Sequence, residues 1–206
     1  VGRGLALPQT FSEQSEITNN MKAETIWQQI KIWLRTHAPD IHDELNRGAS
    51  TKDFHELEAL TNIPLPQEVK EFYLIHNGQD SISDTLTEMG ELLSLERMGD
   101  EWRIWKSLLD KNSFQQSQVQ NQDGIAPDWW NPNWLPITYD GSGNHFCLDF
   151  APTENGTIGQ IITMWHDSGE RRIVAQSFTD WIQTFADELH TGQYEYNQDL
   201  GGIFRK

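Results

Sequence analysis

With 206 residues, 36% hydrophobic and 11% aromatic, the chain has the size of one domain and enough apolar surface for a real core, which excludes global disorder. Its 31 acids against 15 bases leave a formal charge of −16, which repels phosphate and argues against nucleic-acid binding. No apolar run reaches the roughly 20 residues of a membrane span, no signal-peptide core is present, and a single cysteine rules out an internal disulfide framework or multi-cysteine metal site, so a soluble cytoplasmic domain is expected.

Residues 1–20 are rich in Gly, Ser, Thr and Asn without a sustained period, and read as a flexible arm. A helical period starts at Met21 and carries Ile26, Ile30, Trp33, Leu34 and His37, with Pro39 closing it. Ser50 or Thr51 can cap a second helix through Phe54, Leu57 and Leu60. A third starts at Pro66, a first-turn residue, buries Val69, Phe72, Tyr73 and His76, and stops at Asn77-Gly78. Leu92, Leu93 and Leu95 suggest a short strand, and Met98, Trp102, Trp105 and Leu109 a further helix. Residues 112–133 read as a long loop, a feature that is often functional or disordered.

Four strands are predicted at 135–139, 145–150, 158–165 and 171–175, separated by turn-forming Asp140-Gly-Ser-Gly-Asn144, Pro152 to Gly156 and Asp167-Ser-Gly169, hence antiparallel hairpins. Ser177 can cap a closing helix that buries Phe178, Trp181, Ile182, Phe185 and Leu189. The expectation is an α+β fold, a twisted, largely antiparallel sheet packed against N-terminal helices and one C-terminal helix. It occupies residues 21–192, and residues 193–206 form a tail.

Residues that carry chemistry are sparse. Cys147 lies between Phe146 and Leu148 and reads as a packed hydrophobe; His145, on the same strand face, makes a Cys–His hydrolase pair conceivable, without an oxyanion-hole signature. The seven histidines show no zinc spacing, and His76 reads as a hydrogen-bonded core residue. Asp140-Gly-Ser-Gly-Asn144 lacks the alternating carboxylates of a calcium loop and the helix of a phosphate cradle, so it reads as a tight turn. No metal and no cofactor is expected. Residues 112–204 hold twelve acids and two bases, Arg171 and Arg172, so the second half concentrates the negative charge and would steer a basic partner. Trp129 and Trp130 are either partner anchors or staples holding the loop to the core, and Trp134 reads as a core staple.

The runs Trp134-Leu-Pro-Ile-Thr-Tyr-Asp-Gly-Ser-Gly-Asn144, Leu148-Asp-Phe-Ala-Pro152 and Gly156-Thr-Ile-Gly-Gln-Ile-Ile162 resemble the SUKH superfamily, and within it the branch named for fungal regulators of cell-wall glucan synthesis. Ile26-Trp27, Leu65-Pro66 through Gln79, and Val174-Ala175 through Ile182 fit the same branch; the likeness covers residues 23–189 and is weak over 80–125. The resemblance implies an α+β binding scaffold with no catalytic set. In it Leu65, Pro66, Asn77, Gly78, Asp140, Gly141, Gly143 and Asp149 serve turns and packing. Bacterial relatives are toxin-immunity proteins, whereas fungal ones are hubs with long disordered flanks, which the short arm here disfavours. The first expectation is therefore an immunity protein that occludes a basic, possibly nuclease, toxin through Trp129, Trp130, Asp128, Asp140, Asp149, Glu154 and Asp167. The alternative is a cell-wall assembly or signalling adaptor.

Overall fold

The computed structural model of the protein describes residues 11–81 and 84–206, with side chains from Met21 onward within that span. Six helices are described: α1 (Phe11–His37), α2 (Pro39–Asp43), α3 (Thr51–Thr61), α4 (Gln67–Ile75), α5 (Leu95–Asp110) and α6 (Phe178–His190). The strands are β1 (Glu91–Leu92), β2 (Trp134–Pro136), β3 (Thr138–Tyr139), β4 (His145–Asp149), β5 (Gln160–Met164), β6 (Ile173–Ala175), β7 (Tyr194–Asn197) and β8 (Gly202–Arg205). The expected α+β class is therefore what forms.

Helix ends follow local hydrogen bonding. Ser50 and Asp53 make a reciprocal capping box at α3, the side chain of each bonding the other's backbone N–H. Ser94 and Ser177 cap α5 and α6 in the simpler way. Pro66 stands at the N-cap of α4, one position before the expected one. Gly78, just past α4, takes φ +66°, and a Cβ there would sit 2.5 Å from the Leu92 carbonyl oxygen; only glycine fits this close backbone approach.

The main sheet has strand order β2-β4-β5-β6, all antiparallel, as the turn residues require. Pro136 lies in the edge strand β2, where a missing N–H is tolerated. Ile137 joins this sheet to the β1–β3 pair, donating its N–H to Phe146 O at 2.8 Å and accepting from Leu93 N at 3.1 Å. Every residue of β4 and β5 is buried, because both faces are covered. On one face Phe146 meets Trp181 of α6 edge-on at 6.1 Å; on the other His145 meets Trp105 of α5. Behind α6, α1 packs against α4, where Trp27 stacks on Phe72 at 4.5 Å and donates from Nε1 to the Phe72 carbonyl at 2.9 Å.

Three expectations are corrected. The first helix starts at Phe11 rather than Met21, so half of the expected arm is helical, and the rest of it, residues 1–10, lies outside the described residues. The run 135–139 is split into β2 and β3, which pair in different sheets. The expected tail is the β7–β8 hairpin: Tyr194 packs edge-on against Phe185 at 5.3 Å, Ile203 is buried, and Thr85 and Gly201 are joined through backbone N–H to O at 2.9 Å. Its apolar Tyr194, Tyr196, Ile203 and Phe204 become a sheet only because residues 84–87 and α6 offer a surface to cover.

Candidate partner-binding surface

The β3–β4 turn shows how this sequence spends its exposed acids. Asp140 accepts from the Ser142 and Asn144 backbone N–H groups at 2.8 and 3.0 Å, and from the Ser142 hydroxyl and Asn144 amide at 2.7 Å each. Partial burial pushes its pKa up, but these four donors outweigh it and hold the carboxyl below its ordinary value. Asn144 in turn accepts from the His166 backbone N–H at 2.9 Å, which fixes the β5–β6 turn and exposed Asp167 beside the first turn.

Trp129 lies at the same end of the sheet. It is half-buried, stacked on Phe114 at 6.2 Å and under the Arg171 guanidinium at 5.4 Å, with Gly169 close against its ring. Asp128 is half-buried and accepts from the Asn131 amide at 2.6 Å. Glu154 is exposed at the opposite end, next to Asn155, whose amide reaches Asp123 at 3.0 Å. The five residues of β4 separate the two ends by roughly 13 Å at ~3.3 Å per residue. The fold thus brings together Trp129, Asp140 and Asp167 and leaves Glu154 apart.

Two expected contact residues are interior. Trp130 is 2% exposed, packed against Trp102 and Trp105, so of the two readings it takes the staple. Asp149 is fully buried and accepts from Trp134 Nε1 at 3.1 Å, the Ala151 N–H at 2.9 Å and Gln160 Nε2 at 2.9 Å. Burial raises its pKa, and these donors, which hold it down, do not fully offset that. A carboxylate so enclosed locks β2, β4 and the 150–159 loop together; it does not touch a partner. Trp134 is the core staple expected.

The Cys–His pair is equally enclosed. The His145 ring uses both nitrogens, Nδ1 with the Thr138 carbonyl at 2.7 Å and Nε2 as acceptor from Trp105 Nε1 at 3.1 Å. Burial drives its pKa down to about 4. Burial likewise pushes the Cys147 thiol far above its usual range, against the smaller opposing pull of the Arg171 charge. Neither an accessible thiol nor a free base is present at this pair, as a hydrolase would need. His76 is half-buried at the end of α4, with Nδ1 at 2.8 Å from the Asn46 carbonyl.

Several polar residues that organise the site were not legible. Arg171, counted with Arg172 only as one of the two bases of the second half, is fully buried: it donates to the Ser168, Glu170 and Trp129 carbonyls and so clamps the 112–133 loop. Burial lowers its pKa to about 10, so it remains charged at neutral pH. The loop also lines the sheet edge, with the Gln120 and Gln122 N–H groups donating to Gly169 and Arg171 carbonyls at 2.9 Å each. Glu91 and Glu101, both nearly buried, share Arg97; burial raises both carboxyl pKa values in spite of that guanidinium. The Arg97–Glu101 spacing of four residues was the available signal. Among the described residues no group of three or more His, Cys, Asp or Glu side chains could hold a metal ion, and no helix is long and apolar enough to cross a membrane.

Comparison with known proteins fits this architecture. The chain is 26% identical to a glucan synthesis regulatory protein of Neurospora crassa over 86% of its own length and 40% of that protein's. It is 24% identical to the cell wall assembly regulator SMI1 of Saccharomyces cerevisiae, over 91% of the chain and 45% of the relative. It is 26% identical to the cell wall biosynthesis/cell cycle regulator smi1 of Schizosaccharomyces pombe, over 84% and 37% respectively. The chain therefore spans less than half the length of these curated relatives, and the shortness of its N-terminal arm carries no weight against a fungal-type role. The family model for SMI1 / KNR4 (SUKH-1) matches residues 48–184, a stretch that runs from the start of α3 into α6 and includes the whole four-stranded sheet, and on this match the chain belongs to the SMI1 / KNR4 family (SUKH-1).

Proposed function

We propose that this chain is a cytoplasmic, non-catalytic protein-binding domain that serves cell-wall assembly, as an adaptor of the glucan-synthesis-regulator type. The observation that carries the reading is the family match over residues 48–184, together with relatives named as regulators of glucan synthesis and cell-wall assembly. The enclosure of His145 and Cys147 supports action by binding, since the sequence's best nucleophile–base pair is spent on packing. Partner contact falls to exposed Asp140 and Asp167, with half-buried Trp129 beside them at one sheet end.

The toxin-occluding role has less support. It needs one acidic face with aromatic anchors, whereas Trp130 and Asp149 are interior and Glu154 lies at the far end of the sheet. The curated relatives above are cell-wall regulators. The test is a graft: this chain replaces the matching segment of the S. cerevisiae regulator, and growth under cell-wall stress is compared with a strain lacking that segment. Restored growth supports the adaptor reading. A graft that accumulates to normal levels yet behaves as the deletion refutes it.

A further inference from the structure

A groove of about 310 Å³ runs along α1 beside the last turn of α4, lined by Glu24, Trp27, Gln28, Lys31, Arg35 and Ile75. Its size is at the lower end for ligand pockets, enough for one or two side chains. Glu24, Gln28, Lys31 and Arg35 recur at helical spacing, so they form one stripe, while half-buried Ile75 supplies the apolar floor above the fully buried Trp27. Ile32, within a turn of Gln28 and Arg35, is 49% exposed, and Leu74 of α4 is 53% exposed.

Seven of the described cations are already held by acids. Lys52, Lys70, Arg97, Arg103, Lys106, Arg172 and Arg205 each pair with a carboxylate. Among the described residues Lys31 and Arg35, like Lys22, Arg47, Lys111, Arg171 and Lys206, have no carboxylate within ion-pair distance, but these two line one groove together; Arg35 Nε donates to His42 Nε2 at 3.1 Å. His76 stands edge-on to Trp27 at 4.8 Å, and burial lowers its pKa against the opposing pull of its bond to the Asn46 carbonyl, with the nearby Lys31 charge adding to the fall. In a chain of net charge −16, two cations left without acidic partners beside an apolar trough are a local reversal of sign. Glu24 marks the end of the positive stripe.

We propose that the α1–α4 groove is a docking site for an acidic peptide segment bearing an aliphatic or aromatic anchor. The anchor would enter over Ile75, and carboxylates on either side of it would meet Lys31 and Arg35. The inference rests on reading the domain as a protein-binding module, and it specifies a second surface, opposite in sign to the acidic turns. The basic wall lies before residue 48, outside the segment matched by the family model.

The probe is a 12-residue synthetic peptide of Asp, Glu and Ser with two Leu four positions apart, titrated calorimetrically into the full chain at low salt. Binding is expected, and reversing both cations (Lys31→Glu with Arg35→Glu) should weaken it at least about tenfold, the equivalent of roughly 1.4 kcal/mol. Lys111→Glu, an exposed change far along the chain, should leave it within about twofold. The milder Lys31→Gln/Arg35→Gln pair should give an intermediate loss, and circular dichroism reports whether each variant keeps its helix content. Absence of binding, equal weakening by Lys111→Glu, or undiminished binding of a peptide with Ser in place of both Leu would each overturn the proposal. None of these outcomes would alter the graft result, so the groove and the adaptor role fail separately.

Discussion

Protonating His145 should cost this fold a definite and measurable amount. The ring is fully buried, its Nδ1–H given to Thr138 and its Nε2 accepting from Trp105, which leaves no site for a second proton without breaking a bond. Its pKa falls from 6.5 to about 4, roughly 2.5 units, and at ~1.36 kcal/mol per unit this is about 3 kcal/mol. The folded value lies below the unfolded one, so the stability is fully present above pH ~6.5 and is lost as pH falls toward 4. Glu91, Glu101 and Asp149 act in the opposite direction, because burial raises their pKa values and the folded state takes up their protons more readily. The total curve mixes these terms, and His145→Gln separates them, since Gln keeps one donor and one acceptor but does not titrate. Urea unfolding of both proteins from pH 7.5 to 4 should show the wild type losing about 3 kcal/mol more than the variant across the window. Equal losses to within about 0.5 kcal/mol, or an imidazole that titrates near pH 6.5 by NMR, would refute the reasoning.

Asp149→Ala should destabilise by about 3–5 kcal/mol, because it strips an acceptor from three donors in the interior, Trp134, Ala151 and Gln160. Asp149→Asn removes the titration but turns an amide NH₂ toward Gln160, which is itself fixed by Thr157 N and the Gly124 carbonyl, so urea unfolding should still show a loss of about 1–3 kcal/mol. The raised Asp149 pKa gives a pH signature too: its contribution is greatest below the unfolded value of ~3.9 and declines as pH rises through the folded one, a slope absent from the Asn variant. Cys147 should resist an aromatic disulfide reagent in the native state and react with one equivalent in denaturant; stoichiometric labelling of the folded protein within seconds would show that the strand opens.

Much of the fold was legible because its signals are local. Ser50 with Asp53, Ser177 with Asp180, and Asp140 with Ser142 and Asn144 are bonds within four residues, so sequence spacing alone specifies them. The β4–β5–β6 meander followed from turn chemistry between apolar runs. The C-terminal hairpin did not, since Ile203 and Gly201 bond to Thr85, more than a hundred residues away in sequence. The candidate site was legible only in part. Asp140 and Asp167 lie on exposed turns and Trp129 is half-buried beside them, while Trp130 and Asp149, chosen on the same criteria of residue type and position near a loop, were interior.

The chain's own order of residues determined the helix stripes, their caps, the hairpin turns and the α+β class, since periodicity and short-range hydrogen bonding act over a few positions. Tertiary structure alone decided which charges are spent inside. Arg171 and Arg172 are adjacent and chemically identical, yet the first is buried against three carbonyls and the second pairs with Glu170 at the surface. Asp149 and Asp140 differ in the same way, one satisfied by Trp134 and Gln160 from neighbouring strands and the other by its own turn. Desolvation depends on what the rest of the chain brings within a few ångströms, and no window of sequence contains that.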